Sequence, residues 1–356
     1  MPHDKQYTVA VVGATGAVGR EALHMLEARQ FPAREVRALA SARSRGSLLP
    51  FRGGDLEVQE LSAQAFEGVD YAIFSAGATR SKEFAPRAVE AGAVVIDNSS
   101  AYRMDPEVPL VIPEVNSGDL KKHRGIIANP NCCAAILATA LWPLHAEAGL
   151  TRLAVSTYQS ASGAGAQAMA ELEDQVRQYV AGEAIDAEVF PYQIAFNLFS
   201  HNTPVGADGL NVEEAKVIEE MRKLFHAPNL KLSVTCIRVP VLRAHSESVV
   251  MEFERPLSEA RAREILAASP GIRVIDDREH NHFPMPLEAT GQLDVLIGRL
   301  REDPVFENGL AAFIAGDQLL KGAAWNAVQI AEELVKLDRL RSDTGATEAA
   351  NPSLGV

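Results

Sequence analysis

Residues 8–29 read TVAVVGATGAVGREALHMLEAR, an apolar run followed by a glycine-rich turn and an amphipathic stretch. TVAVVGA (8–14) predicts a β-strand, and VGREALHMLEAR (18–29) predicts a helix. Glycines allow close backbone approach, and a helix N-terminus offers N–H donors to a pyrophosphate. This context favours a dinucleotide site over an ordinary glycine-rich turn. The glycines at G-x-x-G-x-x-G spacing are Gly13, Gly16 and Gly19, and the candidate cofactor contacts are Gly13, Ala14, Thr15, Gly16, Ala17 and Val18.

The rest of the first third alternates β-branched runs with a helical stretch. Strands are predicted at VRALA (36–40), YAIFSA (71–76) and VVIDNS (94–99), and a helix at KEFAPRAVEAG (82–92). Strands that alternate with helices are typical of parallel βαβ units. The pattern therefore predicts an α/β fold with an open, doubly wound, Rossmann-type sheet.

The pattern changes after about residue 130. LAVSTYQSAS (153–162), KLSVTCIRVPVL (231–242) and SESVVMEFE (246–254) predict longer strands, the last two joined by a short turn. These strands favour a second domain with a mixed or antiparallel sheet. GAAWNAVQIAEELVKLDRL (322–340) predicts a helix, and the final residues, 341–356, have no apolar period and are expected to form a frayed tail.

The composition excludes several classes of protein. The chain has 356 residues, 47% of them hydrophobic, and a formal net charge of −13. This balance disfavours nonspecific binding to nucleic acid or anionic lipid but allows a small anionic substrate. The first residues lack the pattern of a secretory signal, and the apolar runs are shorter than a membrane span. Three cysteines suit a reducing compartment, so a cytoplasmic enzyme is expected.

The second predicted strand indicates which dinucleotide binds. It runs into ALASARSRG (38–46), where an NAD site would usually carry a carboxylate for the ribose hydroxyls. Ser41, Arg43 and Ser44 stand there instead, with Arg45 beside them. Hydroxyl and guanidinium groups suit a 2′-phosphate, so NADP is predicted; a solvated basic loop is the alternative.

The stretch ANPNCCAAIL (128–137) carries two of the three cysteines. Asn131 is a good N-cap, which predicts a helix with Cys132 in its first turn. A helix N-terminus stabilises a thiolate, whereas a free cysteine is often only a small buried hydrophobe. Cys132 is therefore the candidate nucleophile. Cys133, about 100° further round the helix, is expected to pack as its buried neighbour.

The histidines with an informative sequence context are His245 and the pair His280 and His282. His245 stands at the turn between two apolar strands, where its side chain could reach a cleft as a general base or bond a carbonyl. His280 and His282 in EHNHFP have no third ligand nearby, so no metal site is predicted.

Charged residues suggest a site for an anion. Arg238 lies between apolar residues, so it requires either a protein carboxylate or a substrate carboxylate as its partner. Arg103 follows the strand at 94–99, at the edge of a doubly wound sheet where ligands gather. Glu213 and Lys216 are i, i+3 neighbours, for which periodicity alone favours a solvated ion pair.

Together these motifs resemble the aspartate-β-semialdehyde dehydrogenase family over roughly residues 6–340. The FNLFSHN stretch and the RAH turn are most similar to its plant and cyanobacterial-like branch. Cys133 stands where the family more often has serine or threonine. The landmarks appear in order: GATGAVG, ASARS, DNSSAYRM, PLVIPEVN, ANPNC, STYQSASGAG, NVEEAK, RVPVLRAHSES and GDQLLKGAAWNAVQIAE.

The resemblance implies catalytic roles and a reaction. Cys132 matches the acylated nucleophile, His245 the acid/base, and Gln159 the residue that orients the substrate. The implied reaction is the reversible, NADPH-dependent reductive dephosphorylation of L-4-aspartyl phosphate to L-aspartate 4-semialdehyde, which feeds lysine, methionine and threonine synthesis. An N-acetyl-glutamyl-phosphate reductase-like enzyme and a non-catalytic nucleotide-binding paralogue are the rival interpretations.

The resemblance also implies binding roles. Arg238 matches the clamp on the substrate α-carboxylate, and Glu213 matches the group that meets the amine. Arg103 and Lys216 match phosphate binders, with Asn131 a further contributor. The matching cofactor contacts near the nicotinamide are Ser162, Gly163, Gln318 and Asn326.

The same resemblance implies a domain organisation like that of glyceraldehyde-3-phosphate dehydrogenase. Residues 1–131 would form the NADP-binding domain and 132–321 an α+β catalytic and dimerisation domain. Residues 322–340 would form a helix that returns to the first domain, followed by the tail at 341–356. A homodimer or a dimer of dimers is expected.

Overall fold

A computed structural model describes residues 5–349, and its first half contains a seven-stranded sheet. The strand order is β3-β4-β2-β1-β5-β6-β7, and every neighbouring pair is parallel except β3 and β4. The strands are β1 (Tyr7–Val12), β2 (Ala33–Ala40), β3 (Leu48–Phe51), β4 (Gly54–Glu60), β5 (Tyr71–Phe74), β6 (Val94–Asp97) and β7 (Ile126–Ala128). The helices of this half are α1 (Ala17–Ala28), α2 (Ala78–Glu90) and α3 (Pro113–Asn116).

The central strands of the first sheet are covered on both faces, which explains why β1 (YTVAVV) and β5 (YAIF) are mostly apolar and buried along their whole length. Val9 and Val11 of β1 pack into a core with α1, while Ala10 and Val12 face a second core with α2. A parallel sheet buried on both faces is the doubly wound arrangement that the alternating sequence predicted. That prediction is confirmed.

A second, mixed sheet of seven strands follows in the order β12-β13-β14-β11-β8-β10-β9. β8 and β10 are parallel, as are β12 and β13, and the other neighbours are antiparallel. Its strands are β8 (Leu150–Gln159), β9 (Phe199–Ser200), β10 (Lys231–Arg238), β11 (His245–Phe253), β12 (Ile272–Val274), β13 (Val295–Glu302) and β14 (Gly309–Gly316). The helices here are α4 (Cys132–Ala148), α5 (Ala166–Ala181), α6 (Val212–Leu224), α7 (Glu259–Ala268) and α8 (Pro286–Ala289).

The strand predicted at 231–242 is shorter than expected, because β10 ends at Arg238. Pro240 cannot donate to a sheet ladder, and the carbonyls of Val241 and Leu242 accept instead from the N–H groups of residues 161 and 162. β10 and β11 are therefore not paired neighbours, since β8 lies between them. This order places the ends of three strands, each bearing a predicted site residue, side by side.

The C-terminal helix α9 (Trp325–Ala349) follows a short π-helical turn, Leu320–Ala324. Its apolar residues pack with those of α1 and the first sheet. The prediction that the helix ends at residue 340 is wrong, because the helix continues to Ala349. Once the packed turns are formed, each further residue adds a backbone hydrogen bond without needing an apolar partner. The rest of the predicted tail, 350–356, lies outside the described residues.

The domain boundary predicted between residues 131 and 132 coincides with the start of α4. The buried side chains of α4 share a core with the second sheet. The boundary itself stays a prediction. Among residues 5–349, no helix has the length and apolar character needed to cross a membrane.

Candidate active site

A cleft of about 550 Å³ lies between the glycine turn after β1 and the ends of β8 and β10. It brings together residues that are far apart in the sequence. The predicted site residues that line it are Gly16, Ala17, Val18, Arg103, Asn131, Cys132, Gln159, Ser162, Gly163, Glu213, Lys216, Arg238 and Gln318.

The glycine turn is built in a way that only glycine allows. Gly13 has φ +83°, and a Cβ there would lie 2.7 Å from the carbonyl oxygen of Ser75. A Cβ on Gly19 would lie 2.2 Å from the carbonyl oxygen of Gly13, so the turn and α1 are packed backbone to backbone. Gly16 is the N-cap of α1 and lines the cleft. This cradle fits a pyrophosphate at the helix N-terminus.

The other predicted residues of the turn lie behind the cleft. The N–H groups of Gly13 and Ala14 donate to the carbonyl of Leu39 at the end of β2, and the carbonyl of Thr15 accepts from Arg20. None of Gly13, Ala14 and Thr15 lines the cleft, so in the structure they support the turn.

The loop after β2 carries the residues predicted to read the 2′-phosphate. Ser41 and Arg43 are exposed and Ser44 is half-buried, in a short 3₁₀ turn directly after the strand. Arg45 pairs with Glu60 at 3.7 Å, whereas Arg43 has no ion pair among residues 5–349. Arg43 is therefore the guanidinium in this loop that is open to a ligand.

Cys132 is the first residue of α4, as predicted. The side-chain oxygen of Asn131 accepts from the N–H of Cys133 at 2.9 Å and of Ala134 at 3.3 Å, which caps the helix. Cys132 is half-buried and lines the cleft, whereas Cys133 is fully buried. Both thiols belong to the first turn of α4, but only that of Cys132 can reach a substrate in the cleft.

The two thiols also differ in acidity. A hydrogen bond with Cys133, and then the neighbouring His245, lower the pKa of Cys132 well below its ordinary value, although burial opposes the shift. Burial first, and then the hydrogen bond to Cys132, raise the pKa of Cys133 well above its ordinary value. Cys132 is thus the thiolate of the pair and Cys133 the thiol.

His245 is the first residue of β11 and is fully buried immediately behind the cleft. Its Nδ1 accepts from the backbone N–H of Ser160 at 3.0 Å, so the neutral ring carries its proton on Nε2. Nε2 has no hydrogen-bond partner among the described residues. The two thiols of Cys132 and Cys133 and a ring nitrogen of His245 all lie within 4.8 Å of one another. The arrangement suits proton exchange between the ring and Cys132.

Glu213 connects three of the predicted site residues, Asn131, Gln159 and Lys216. One of its carboxylate oxygens accepts from Asn131 Nδ2 at 2.7 Å and from Gln159 Nε2 at 3.3 Å, and the other lies 3.5 Å from Lys216 Nζ. Burial raises the pKa of Glu213, but its charged and hydrogen-bonding neighbours outweigh burial, beginning with His201, and the net pKa is lowered. The expectation of a solvated ion pair is wrong, because only 8% of the Glu213 side chain is exposed.

Arg238 ends β10 with a guanidinium that has no carboxylate partner among residues 5–349. NH1 donates to the carbonyl of Ser160 at 2.7 Å, NH2 donates to Nε2 of His201 at 2.8 Å, and Nε has no partner. Of the two partners considered from the sequence, the protein carboxylate is thus not found. The guanidinium lies in the cleft and is open to an anionic ligand.

The sequence does not indicate His201 as a site residue, although it lies in FNLFSHN, the stretch that resembles the plant and cyanobacterial-like branch. Burial, above all, lowers the pKa of His201 to about 4. The neutral ring can therefore accept from Arg238 through Nε2, while Nδ1 lies 3.3 Å from Thr203 Oγ1. His201 holds Arg238 in place and itself lines the cleft.

Glu220, also missed, lies behind Arg103. Arg103 donates to the carbonyls of Asn129 and Asn98 at 2.9 and 2.7 Å, and it pairs with Glu220 at 3.1 Å. The other carboxylate oxygen of Glu220 accepts from the N–H of Asn131. The sequence does not indicate Glu220, because a helical pattern does not show which loop the buried face of the helix meets.

The remaining predicted residues divide into two groups. Ser162 and Gln318 hydrogen-bond to each other on the wall that also includes Gly163. Asn326 does not line the cleft: it is fully buried, and its amide group bonds the carbonyl of Val111, Asn129 and Lys321. That Asn326 contacts the cofactor stays a prediction, with both polar atoms of its amide group bonded inside the protein.

His280 and His282 do not converge. His280 lies 2.8 Å from Asp277 and His282 lies 2.7 Å from Glu288, and both histidines are exposed. Each is thus half of a separate surface pair.

Two family models match the chain. Residues 8–123 match the NAD binding domain of semialdehyde dehydrogenase, and residues 141–321 match the semialdehyde dehydrogenase dimerisation domain. Together the matches cover most of both sheets, and residues from each match line the cleft. They define the class: an oxidoreductase with an NAD(P)-binding domain and a second, dimerisation domain.

Curated relatives narrow the class to one family. Aspartate-semialdehyde dehydrogenase from Synechocystis is 50% identical over 328 residues, covering 92% of this chain and 97% of the relative. The enzyme of that name from Aquifex aeolicus is also 50% identical, over 334 residues, covering 93% and 98%. The chain belongs to the aspartate-semialdehyde dehydrogenase family. A cyanobacterial protein is among these relatives, in keeping with the branch that the sequence indicated.

Solved structures agree with this assignment. Aspartate semialdehyde dehydrogenase II from Vibrio cholerae superposes with a TM-score of 0.91 at 40% identity, covering 93% of this chain and 99% of that one. A second structure of aspartate semialdehyde dehydrogenase II from Vibrio cholerae, complexed with ASA, has the same TM-score at 39% identity and the same coverage.

Proposed function

We propose that this chain catalyses the reversible, NADPH-dependent reductive dephosphorylation of L-4-aspartyl phosphate to L-aspartate 4-semialdehyde, a step toward lysine, methionine and threonine. One observation carries the proposal: the lowered-pKa thiol of Cys132 shares a cleft with the glycine turn and with three cationic side chains, those of Arg103, Lys216 and Arg238. The relatives named aspartate-semialdehyde dehydrogenase support the same reaction.

The first step is acyl transfer to sulfur. The Cys132 thiolate attacks the acyl carbon of the substrate, the carbon–oxygen bond to phosphate breaks, and a thioester forms on Cys132. Arg103 and Lys216 are the cations on the wall nearest Asn131, and they stabilise the departing phosphate dianion. Glu220 fixes the orientation of the Arg103 guanidinium throughout.

Substrate recognition uses two oppositely charged side chains that line the cleft with Cys132. Arg238, held by His201 and the Ser160 carbonyl, offers a guanidinium to the α-carboxylate. Glu213 offers a buried, ionised carboxylate to the α-ammonium group. Gln159 donates to Glu213 and, from the end of β8, orients the acyl group beside Cys132.

Reduction and release complete the cycle. NADPH, when bound, supplies the hydride that reduces the thioester. His245 acts as the acid/base for the oxygen of the tetrahedral adduct as this adduct collapses to the aldehyde. Cys132 leaves as a thiolate that is stabilised by the Cys133 hydrogen bond. In the oxidative direction His245 keeps Cys132 deprotonated for attack on the aldehyde.

NADP is the proposed dinucleotide. The loop of Ser41, Arg43 and Ser44 has no carboxylate to bond a ribose 2′-hydroxyl, and the Arg43 guanidinium has no protein partner among the described residues. The glycine turn accepts the pyrophosphate, while Ser162, Gly163 and Gln318 border the nicotinamide end of the cleft.

The rival reductase for N-acetylated substrates fits this cleft less well. An acetylated amine is neutral, so it would gain no charge-assisted contact from the buried, ionised carboxylate of Glu213. A non-catalytic paralogue is also disfavoured, because Cys132, His245, Gln159 and Arg238 converge with their hydrogen bonds in place. Neither rival explains all of these contacts.

The assembly and location are further parts of the proposal. A homodimer through the second domain is supported by the match of residues 141–321 to a dimerisation domain. A cytosolic location is supported by three free cysteines, one of which must be a reduced nucleophile.

A spectrophotometric assay tests the proposal. Purified protein is mixed with aspartate semialdehyde, phosphate and NADP, and NADPH absorbance is followed. The expected result is reduction of NADP that depends on both phosphate and the aldehyde. Cys132→Ser abolishes it, whereas the matched variant Cys133→Ser retains measurable turnover. Phosphate-independent reduction, or equal loss in the two variants, contradicts the proposal.

A further inference from the structure

Glu247 is a buried carboxylate that the proposed mechanism does not use. It is the third residue of β11 and is fully buried, and neither of its side-chain oxygens has a hydrogen-bond partner among residues 5–349. An unpaired ionised carboxylate in such a place is too costly to persist, so the group must be neutral or must have a special partner. Burial raises the pKa of Glu247 well above its ordinary value, consistent with a neutral carboxyl.

The strand register places Glu247 directly beneath the catalytic residues. His245 and Glu247 are two residues apart on β11, so they share the sheet face on which Val249 and Met251 pack in the same core as Cys133. Glu247 pairs with Thr157 of β8, just as Thr157 pairs with Cys236 of β10. A second row of side chains thus lies one step below the row of Arg238, Gln159 and His245.

Cys133 connects this second row to the nucleophile. The Sγ atoms of Cys132 and Cys133 lie within 4.8 Å of each other. Cys133 also lies in the core covered by the face of β11 that carries Glu247, and its thiol and the Glu247 carboxyl influence each other's pKa. A thiol has one proton to donate, and it can accept weakly at the same sulfur. If Cys133 donates to the Cys132 thiolate, its own sulfur is left to accept from the protonated Glu247.

We propose that Glu247 stays protonated and donates a hydrogen bond to Cys133, whose S–H then donates to the thiolate of Cys132. Glu247 and Cys133 are therefore positioning residues that act through Cys132, and the role in catalysis rests on the proposed function. The arrangement explains why a carboxyl group can lie so near the nucleophile: in its neutral form it adds a donor and no negative charge.

Few other ionisable groups surround the proposed hydrogen bonds between Glu247, Cys133 and Cys132. The ionisable groups that interact with Cys132 are His245 of β11, Glu213 of α6, Cys133 of its own helix, Arg238 of β10 and His201. Cys132 and Cys133 of α4 and Cys236 of β10 act on Glu247 or are acted on by it. Thr157 of β8 and Ile314 of β14, which flank Glu247 in the sheet, are neutral. No described cation therefore faces the Glu247 carboxyl to stabilise its ionised form.

The test measures the alkylation rate of Cys132 by iodoacetamide as a function of pH, which reports the thiolate and needs no substrate. In Cys133→Ala the apparent pKa of Cys132 rises by about one unit, so the thiolate fraction below that pKa falls about tenfold. Glu247→Leu, which removes the outer donor, raises it by a smaller amount. Cys133→Ser keeps a hydroxyl donor and restores most of the shift.

Glu247→Gln separates the neutral carboxyl from an ionised one. Glutamine keeps a donor of the same length and no charge, so the Cys132 pKa stays within about half a unit of that in the parent protein. If Glu247 were ionised, removing its charge would lower the Cys132 pKa by more than that. The matched control is Cys236→Ala, which removes a buried thiol from β10, two strands away from Glu247, and leaves the profile unchanged.

A parent-like profile in Cys133→Ala or in Glu247→Leu, or a displaced one in Glu247→Gln, overturns the inference. The proposed function is tested separately, because alkylation does not require turnover. A protein that reduces NADP as proposed but shows no shift in these variants loses only the inference, whereas an inactive protein with the predicted shifts loses only the function.

Discussion

Gly163 and His245 are so close that a Cβ on Gly163 would lie 3.0 Å from Cε1 and 3.1 Å from Nε2 of the imidazole ring. The same Cβ would lie 3.2 Å from NH1 of Arg238. His245 is fully buried, so its ring has little room to move away. The absence of a side chain at residue 163 therefore sets the position of both the acid/base and the carboxylate clamp.

Gly163→Ala tests this relationship. We expect kcat to fall by about 10- to 100-fold, because displacing a catalytic group by a fraction of an ångström spoils its alignment with the reacting atoms. Steady-state kinetics in both directions measure the loss. Gly118→Ala is the control, since a Cβ there meets nothing within 4 Å. Parent-like kcat in Gly163→Ala would show that the ring is not held as described.

Glu213→Gln tests recognition of the substrate amine. The carboxylate is buried and ionised, so its loss removes a charge-assisted contact, and kcat/KM for aspartate semialdehyde should fall by about 10- to 100-fold. Glu219→Gln is the matched control, because Glu219 lies on the same helix but is exposed. Equal kinetics for the two variants would remove Glu213 from the substrate site.

Arg43→Ala tests the choice of dinucleotide. The KM for NADP should rise about tenfold while the KM for NAD stays constant, because only NADP carries the 2′-phosphate that the guanidinium would bind. Arg45→Ala is the neighbouring control, with a smaller expected effect because Arg45 pairs with Glu60. A parallel rise in both KM values, or a stronger effect at Arg45, would leave NADP selectivity without this explanation.

Glu247→Gln also predicts how stability depends on pH. The folded-state pKa of Glu247 is raised, so below its ordinary value of 4.5 both the folded and the unfolded carboxyl are protonated. Above that value the unfolded carboxyl ionises while the folded one does not, and the free energy of unfolding loses about 1.4 kcal/mol per pH unit until the folded pKa is reached. Glutamine does not ionise, so it escapes this loss.

The measurement compares urea unfolding of the two proteins between about pH 5 and about pH 7. The stability advantage of Glu247→Gln over the parent should grow as the pH rises through this range. A constant difference across the range would mean that Glu247 is already ionised in the folded protein.

The parts of the fold that the sequence predicts well are those with a local cause. The turn of Gly13, Gly16 and Gly19 and the N-cap at Asn131 each depend on residues only a few positions apart. The insertion of β8 between β10 and β11 depends on pairing between distant segments, and nothing in the stretch 231–254 indicates it. The order of strands was therefore accessible only from the structure.

The site shows the same division. Helical spacing relates Glu213 to Lys216 but does not show that their face is buried, so the sequence favoured a solvated pair. His201 lies in an irregular polar segment with no period to interpret. Glu247 could have been found, because strand alternation in HSESVVMEF places it on the same face as Val249, Met251 and Phe253.

The central claim is that Cys132 carries the acyl group. The most direct measurement mixes the protein with aspartate semialdehyde and NADP in phosphate-free buffer, follows NADPH in the first turnover, and maps the modified peptide by mass spectrometry. The account predicts a burst of about one NADPH per active site, an aspartyl group on Cys132, and its release on addition of phosphate. No burst, or an acyl group on any residue other than Cys132, would contradict it.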